Sequence, residues 1–125
     1  MNGLVLPDLI WEGIDLFNEQ RFFEAHEVLE TAWRAEPKPI RKLYQGILQA
    51  GIAYHHLKLG NQIGALKLLD RALLHLRPWS ELTSPINIKD LIQNLLFVRA
   101  ILKDDQKRER FQEIPLKPLI TNQKQ

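Results

Sequence analysis

Apolar residues recur at three- and four-residue intervals along most of this chain, and proline, glycine or asparagine interrupts them at intervals. That spacing predicts helices throughout, with an all-α fold as the result. The first helix is expected from about Asp8 to Asn18, starting after Pro7 and turning Leu9, Ile10, Ile14 and Phe17 inward. The second is expected from about Phe22 to Ala35 and stops before Pro37-Lys38-Pro39, since proline cannot continue a helix. A third and longer helix is expected from near Pro39 to Leu59. Gly60 then supplies a left-handed cap and Asn61 the next N-cap, so that the fourth helix folds back antiparallel. Its inward set is Ala65, Leu68, Leu69, Ala72, Leu73 and Leu76, ending at Pro78. Asn87 with Asp90 resembles a capping box and opens a fifth helix, with Ile88, Leu91, Ile92, Leu95, Val98 and Leu102 inward.

The third helix is apolar nearly all round, which predicts a central, buried position. Its remaining side carries a polar line, Gln45, Gln49 and His56. The second helix gathers Phe22, Ala25, Leu29, Ala32 and Trp33 on one face and sets His26 and Glu30 on its shoulder. Burying such groups costs free energy unless each finds a partner. We therefore expect the two polar lines to meet across the interface of the second and third helices, with Trp33 walling the cluster. Small residues repeat along the chain: Gly13, Ala25, Ala32 and Pro37, then Gly51, Ala65, Ala72 and Pro78. This is the skeleton of a tetratricopeptide-like hairpin pair. The expected architecture is a compact bundle of about five helices in antiparallel hairpins, with the third helix central. Residues 1–104 form one domain, and residues 105–125, with Pro115 and Pro118 among apolar positions, form an extended or partly disordered strap.

Composition narrows the chemistry. The 125 residues make one domain, with 17 basic and 15 acidic side chains. That balance predicts no nucleic-acid partner, which would call for a concentrated basic face. The small run Lys107-Arg108-Glu109-Arg110 reads as a solvated face. With no cysteine, disulfides and thiolate chemistry are excluded, and any metal needs histidine and carboxylate ligands. No stretch reaches the ~20 apolar residues of a membrane span, and the N-terminus is not a signal peptide. A soluble cytoplasmic protein is expected, or a stromal one if the source bears plastids.

The run Phe-x-x-Ala-His-Glu-x-x-Glu-x-x-Trp, here Phe22 to Trp33, resembles a family of small prokaryotic and plastid proteins known as domain of unknown function 309. The likeness continues through Tyr44 to Ala50, His55-His56, Gly60-Asn61 and Gly64-Ala65. It implies a compact all-helical fold and a shared polar cluster at His26, Glu27, Glu30, Trp33, Gln45, His56 and Asn61. It implies no established activity.

His26-Glu27-x-x-Glu30 invites comparison with the zinc-protease helix, in which a second histidine stands where this chain has Glu30. His56 or His55 would have to complete the ligand set, and spacing favours His26, Glu30 and His56. In the competing reading His26 is satisfied within the protein and Glu30 meets Arg34 or Arg41. Nucleophilic catalysis has no cysteine, and the serines, Ser80 and Ser84, have no base placed by sequence. The favoured function is a non-enzymatic protein-interaction or scaffold module that takes a protein, a peptide or a second copy of itself. The alternative is a metal-binding protein or metal-dependent hydrolase. No cofactor is expected under the first reading, and a divalent metal enters only under the second.

Overall fold

A computed structural model describes residues 5–82 and 86–104. Every regular element among them is helical: α1 (Asp8–Asn18), α2 (Phe22–Ala35), α3 (Arg41–Lys58), α4 (Gln62–Leu76) and α5 (Ile88–Leu102), with a short 3-10 turn over Arg77–Trp79. The expected strap over residues 105–125 lies outside the described residues. Each helix packs on the one before it, and α3 lies between α2 and α4. Eleven of the 18 residues of α3 are buried, among them Leu43, Ile47, Ala50, Gly51, Tyr54 and Leu57. The near-continuous apolar surface of α3 thus has a neighbour on two sides, as its composition predicts.

The third helix starts two residues later than its sequence suggests. Arg41, Lys42 and Leu43 donate their amides to Lys38, Pro39 and Ile40 carbonyls, three residues back. Pro39 and Ile40 therefore form a tight entry turn rather than the first helical turn.

The two hairpins turn by one geometry. After α1, the amides of Gln20 and Arg21 donate to the carbonyls of Phe17 and Leu16. After α3, Gly60 and Asn61 donate to Leu57 and His56 in the same pattern. This is the Schellman closure, and it needs a left-handed residue. Gly60 supplies it at φ 81° and Gln20, with a side chain, at φ 63°. The turns superpose in sequence at a spacing of forty, so Ala25 corresponds to Ala65 and Ala32 to Ala72, all buried. The glycines do not correspond. A Cβ on Gly13 would meet Leu29 at 2.5 Å, whereas one on Gly51 would touch Phe17 at 3.4 Å.

The core joins the hairpins through aromatic rings. Phe17, Phe22 and Tyr54 pack with centroids 5.4 to 5.7 Å apart, two of the pairs edge to face. Lys58 lies over the Phe22 ring at 5.6 Å and donates to the Gln20 carbonyl at 3.4 Å. One lysine thus ties the second turn to the first. α5 opens at Asn87, whose side chain accepts the Asp90 amide as the capping reading predicts.

Candidate functional site

His26, Glu30 and Arg34 stand four residues apart on α2 and form a row on its surface. His26 Nε2 lies 3.2 Å from one Glu30 oxygen, and Arg34 Nη2 lies 2.5 Å from the other. Both carboxylate oxygens are therefore engaged within α2. A helical ion pair at this spacing, such as Glu30–Arg34, contributes about 0.3–0.5 kcal/mol. Glu27 is exposed, and its carbonyl accepts the Thr31 hydroxyl at 3.0 Å.

Trp33 is half-buried against the core, and the Arg41 guanidinium stacks over its ring at 4.7 Å. The ring is braced from α3 by a cation rather than enclosed. Its indole N–H is buried with no acceptor among the described residues. Full burial would make truncation of Trp33 cost ~3–5 kcal/mol, and half-burial lowers this to about 2 kcal/mol.

Two members of the polar line of α3, Gln49 and His56, have their hydrogen-bond partners on α4 and the α3–α4 turn. Gln49 is buried and its Oε1 accepts from Nδ1 of His75 on α4 at 2.8 Å. His56 Nδ1 lies 3.2 Å from the Asn61 side-chain amide nitrogen across the α3–α4 turn. Asn61 Oδ1 caps α4 by accepting the Gly64 amide at 2.9 Å. With its amide so oriented, Asn61 donates to His56, which places the imidazole proton on Nε2. Gln45 is half-buried on α3. The expected single cluster between α2 and α3 is thus three separate arrangements: a row on α2, a braced indole, and an α3–α4 set. The reason is that α3 has two neighbours, and Gln49 and His56 turn to α4 and its cap.

The ligand set His26, Glu30 and His56 is not assembled. Among the described residues no three histidine, cysteine, aspartate or glutamate side chains group as a metal site would need. His26 and Arg34 hold both Glu30 oxygens, while His56 is engaged at the turn. The metal-binding alternative finds no support in this geometry.

His75 is the residue that sequence reasoning missed, hidden inside the apolar run of α4. Burial lowers its pKa below the ordinary histidine value, and Lys42 lowers it further, against a backbone hydrogen bond at Arg71. With Nδ1 against the Gln49 oxygen, it serves as a donor. The signal was Gly46, where a Cβ would meet Leu76 at 2.7 Å and His75 at 3.3 Å. That close approach brings α4 near enough for Gln49 to reach it. Tyr54 is buried with its hydroxyl unpaired among the described residues, and burial raises its pKa steeply.

The other feature that the sequence did not single out is an exposed apolar set at the turn end. Phe23 on α2 is 57% exposed, Leu59 69% and Ile63 73%. The Phe23 ring meets His55 on α3 at 6.2 Å. Phe23 and Ile63 each stand three residues after a left-handed turn residue, so the two hairpins present them alike.

The fold and site define a small all-helical protein built on consecutive antiparallel hairpins. Residues 10–68 match the family described as Domain of unknown function (DUF309), the family that the chain was read to resemble. A protein of Aquifex aeolicus (strain VF5), described as uncharacterized, is 32% identical over 98 residues, or 78% of this chain and 27% of the relative. The uncharacterized protein YpuF of Bacillus subtilis (strain 168) is 36% identical over 53 residues, or 42% of this chain and 30% of the relative. The chain thus spans under a third of the length of these relatives. Among the described residues no helix is long and apolar enough to cross a membrane.

Proposed function

We propose that this chain is a non-enzymatic interaction module, a tetratricopeptide-like hairpin pair whose docking surface is the turn end around Phe23, His55, Leu59 and Ile63. The carrying observation is a division of labour among side chains. Most polar residues that resemble catalytic or metal-binding groups are engaged in contacts within the fold. Phe23, Leu59 and Ile63 are large, apolar and exposed at one end. Leaving such groups in water forgoes roughly 25 cal/mol per Å² that burial against a partner recovers. Exposed apolar residues beside histidine and lysine suit an amphipathic peptide or helix. The relatives, in which the matched part is under a third of the chain, fit a module joined to other segments.

A photo-crosslinking amino acid placed at Phe23 or Ile63 in cells tests this. The reading expects a discrete crosslinked protein from those positions, none from Lys89 on α5, and loss of the Phe23 product when Ile63→Glu is added. Equal crosslinking from Lys89, or persistence of the product in Ile63→Glu, overturns it.

A further inference from the structure

The two hairpins carry opposite charge. α1 and α2 with their turn, residues 8–35, hold seven acidic side chains and two basic, a formal −5. α3 and α4 with their turn, residues 41–76, hold five basic side chains and one acidic, a formal +4. From Arg41 to Leu69 there is no carboxylate side chain. The contrast reaches the turn end position by position at the spacing of forty. Phe23 answers to Ile63, and each is followed one helical turn on by an exposed charge, Glu27 on α2 and Lys67 on α4. Among the described residues neither Glu27 nor Lys67 makes an ion pair. Glu24, the other carboxylate beside Phe23, is held by Arg21 at 2.6 Å.

We propose that the occupant of the turn-end surface is a second copy of this chain, docked about a twofold axis; the proposal rests on that end being the docking surface. A twofold interface is isologous, so that any contact across it is also made in reverse. A surface with a free carboxylate on one flank and a free ammonium at the equivalent place on the other meets that requirement. The rotation lays the acidic hairpin of one copy against the basic hairpin of the other. Phe23 then packs on Ile63 of the second copy and Glu27 meets its Lys67, each contact being made twice. Leu59, on α3 between the two flanks, falls near the axis. A peptide from elsewhere is served by a surface of either sign, whereas opposite signs at equivalent positions are what a surface needs to complement itself. Head-to-tail docking would pair the same charges without closing and would build open chains of copies.

Sedimentation equilibrium of the full chain reads the association. The wild type should form dimers that weaken as salt rises. Glu27→Lys and Lys67→Glu each set like charges face to face at both contacts and should weaken dimerisation about tenfold. Both positions are exposed, so each variant should keep the wild-type melting curve. Mixing the two variants restores opposite charges at both contacts. The mixture should therefore regain wild-type affinity as a heterodimer while each variant alone stays weak. A wild type that remains monomeric up to about 1 mM overturns the proposal. So does a mixture that associates no more tightly than its components, or an assembly that grows past the dimer. The docking reading outlives a monomeric chain if Phe23 and Ile63 still crosslink a different protein in cells, and falls with it if they crosslink nothing.

Discussion

Tyr54 buries a hydroxyl with no acceptor among the described residues, inside rings that need only its aromatic body. An unsatisfied buried hydroxyl costs about 1–3 kcal/mol, so Tyr54→Phe should leave the fold as stable or gain about 1 kcal/mol by urea unfolding. A loss above 1 kcal/mol would reveal a hydrogen bond to the hydroxyl. His75 makes the opposite case, a polar group in a good contact. Its folded-state pKa lies below its ordinary value of 6.5, so just below that value the unfolded chain binds more protons. Stability from this residue is full above pH 6.5 and is lost as pH falls toward the folded pKa. The pH profile of unfolding from 5 to 7.5 should be shallower in His75→Gln than in the wild type, and parallel profiles would contradict it. The sequence exposed Gln49 as a polar residue in need of a partner but not on which side. Gln49 sits on a helix with two neighbours, and periodicity gives a face without naming what covers it. His75 was masked by the leucines around it.

At the scale of the helices the sequence was nearly sufficient. α1 and α2 occupy the expected residues because Pro7, the polar run at 18–21 and Pro37 punctuate them. α4 and α5 likewise begin at asparagine caps. The first turn was harder to read, since Gln20 holds a left-handed conformation that usually advertises itself as glycine. Gln20→Gly should therefore stabilise the protein by about 1 kcal/mol, and Gly60→Ala should destabilise it by a similar amount. Denaturant midpoints moving the other way would show that neither turn depends on its left-handed residue. Gly13 answers to packing instead. Gly13→Ala drives a methyl into Leu29 on α2 and should cost about 1–3 kcal/mol.

Across the whole molecule, the all-α architecture and the central α3 follow from the apolar pattern, whereas the candidate site does not. Its residues were read from chemical type, and their partners depend on how three helices stack. The structure separates groups that hold the fold from groups that face outward. Gln49 belongs to the first kind and Phe23 and Ile63 to the second. Equilibrium unfolding of Gln49→Ala, Phe23→Ser and Ile63→Ser, measured side by side, tests that separation most directly. The account predicts a loss of about 2 kcal/mol for Gln49→Ala, which strands His75. It predicts changes within about 0.5 kcal/mol for the two exposed positions. Losses at Phe23 and Ile63 as large as that at Gln49 would mean that these side chains hold the fold and are not a docking surface.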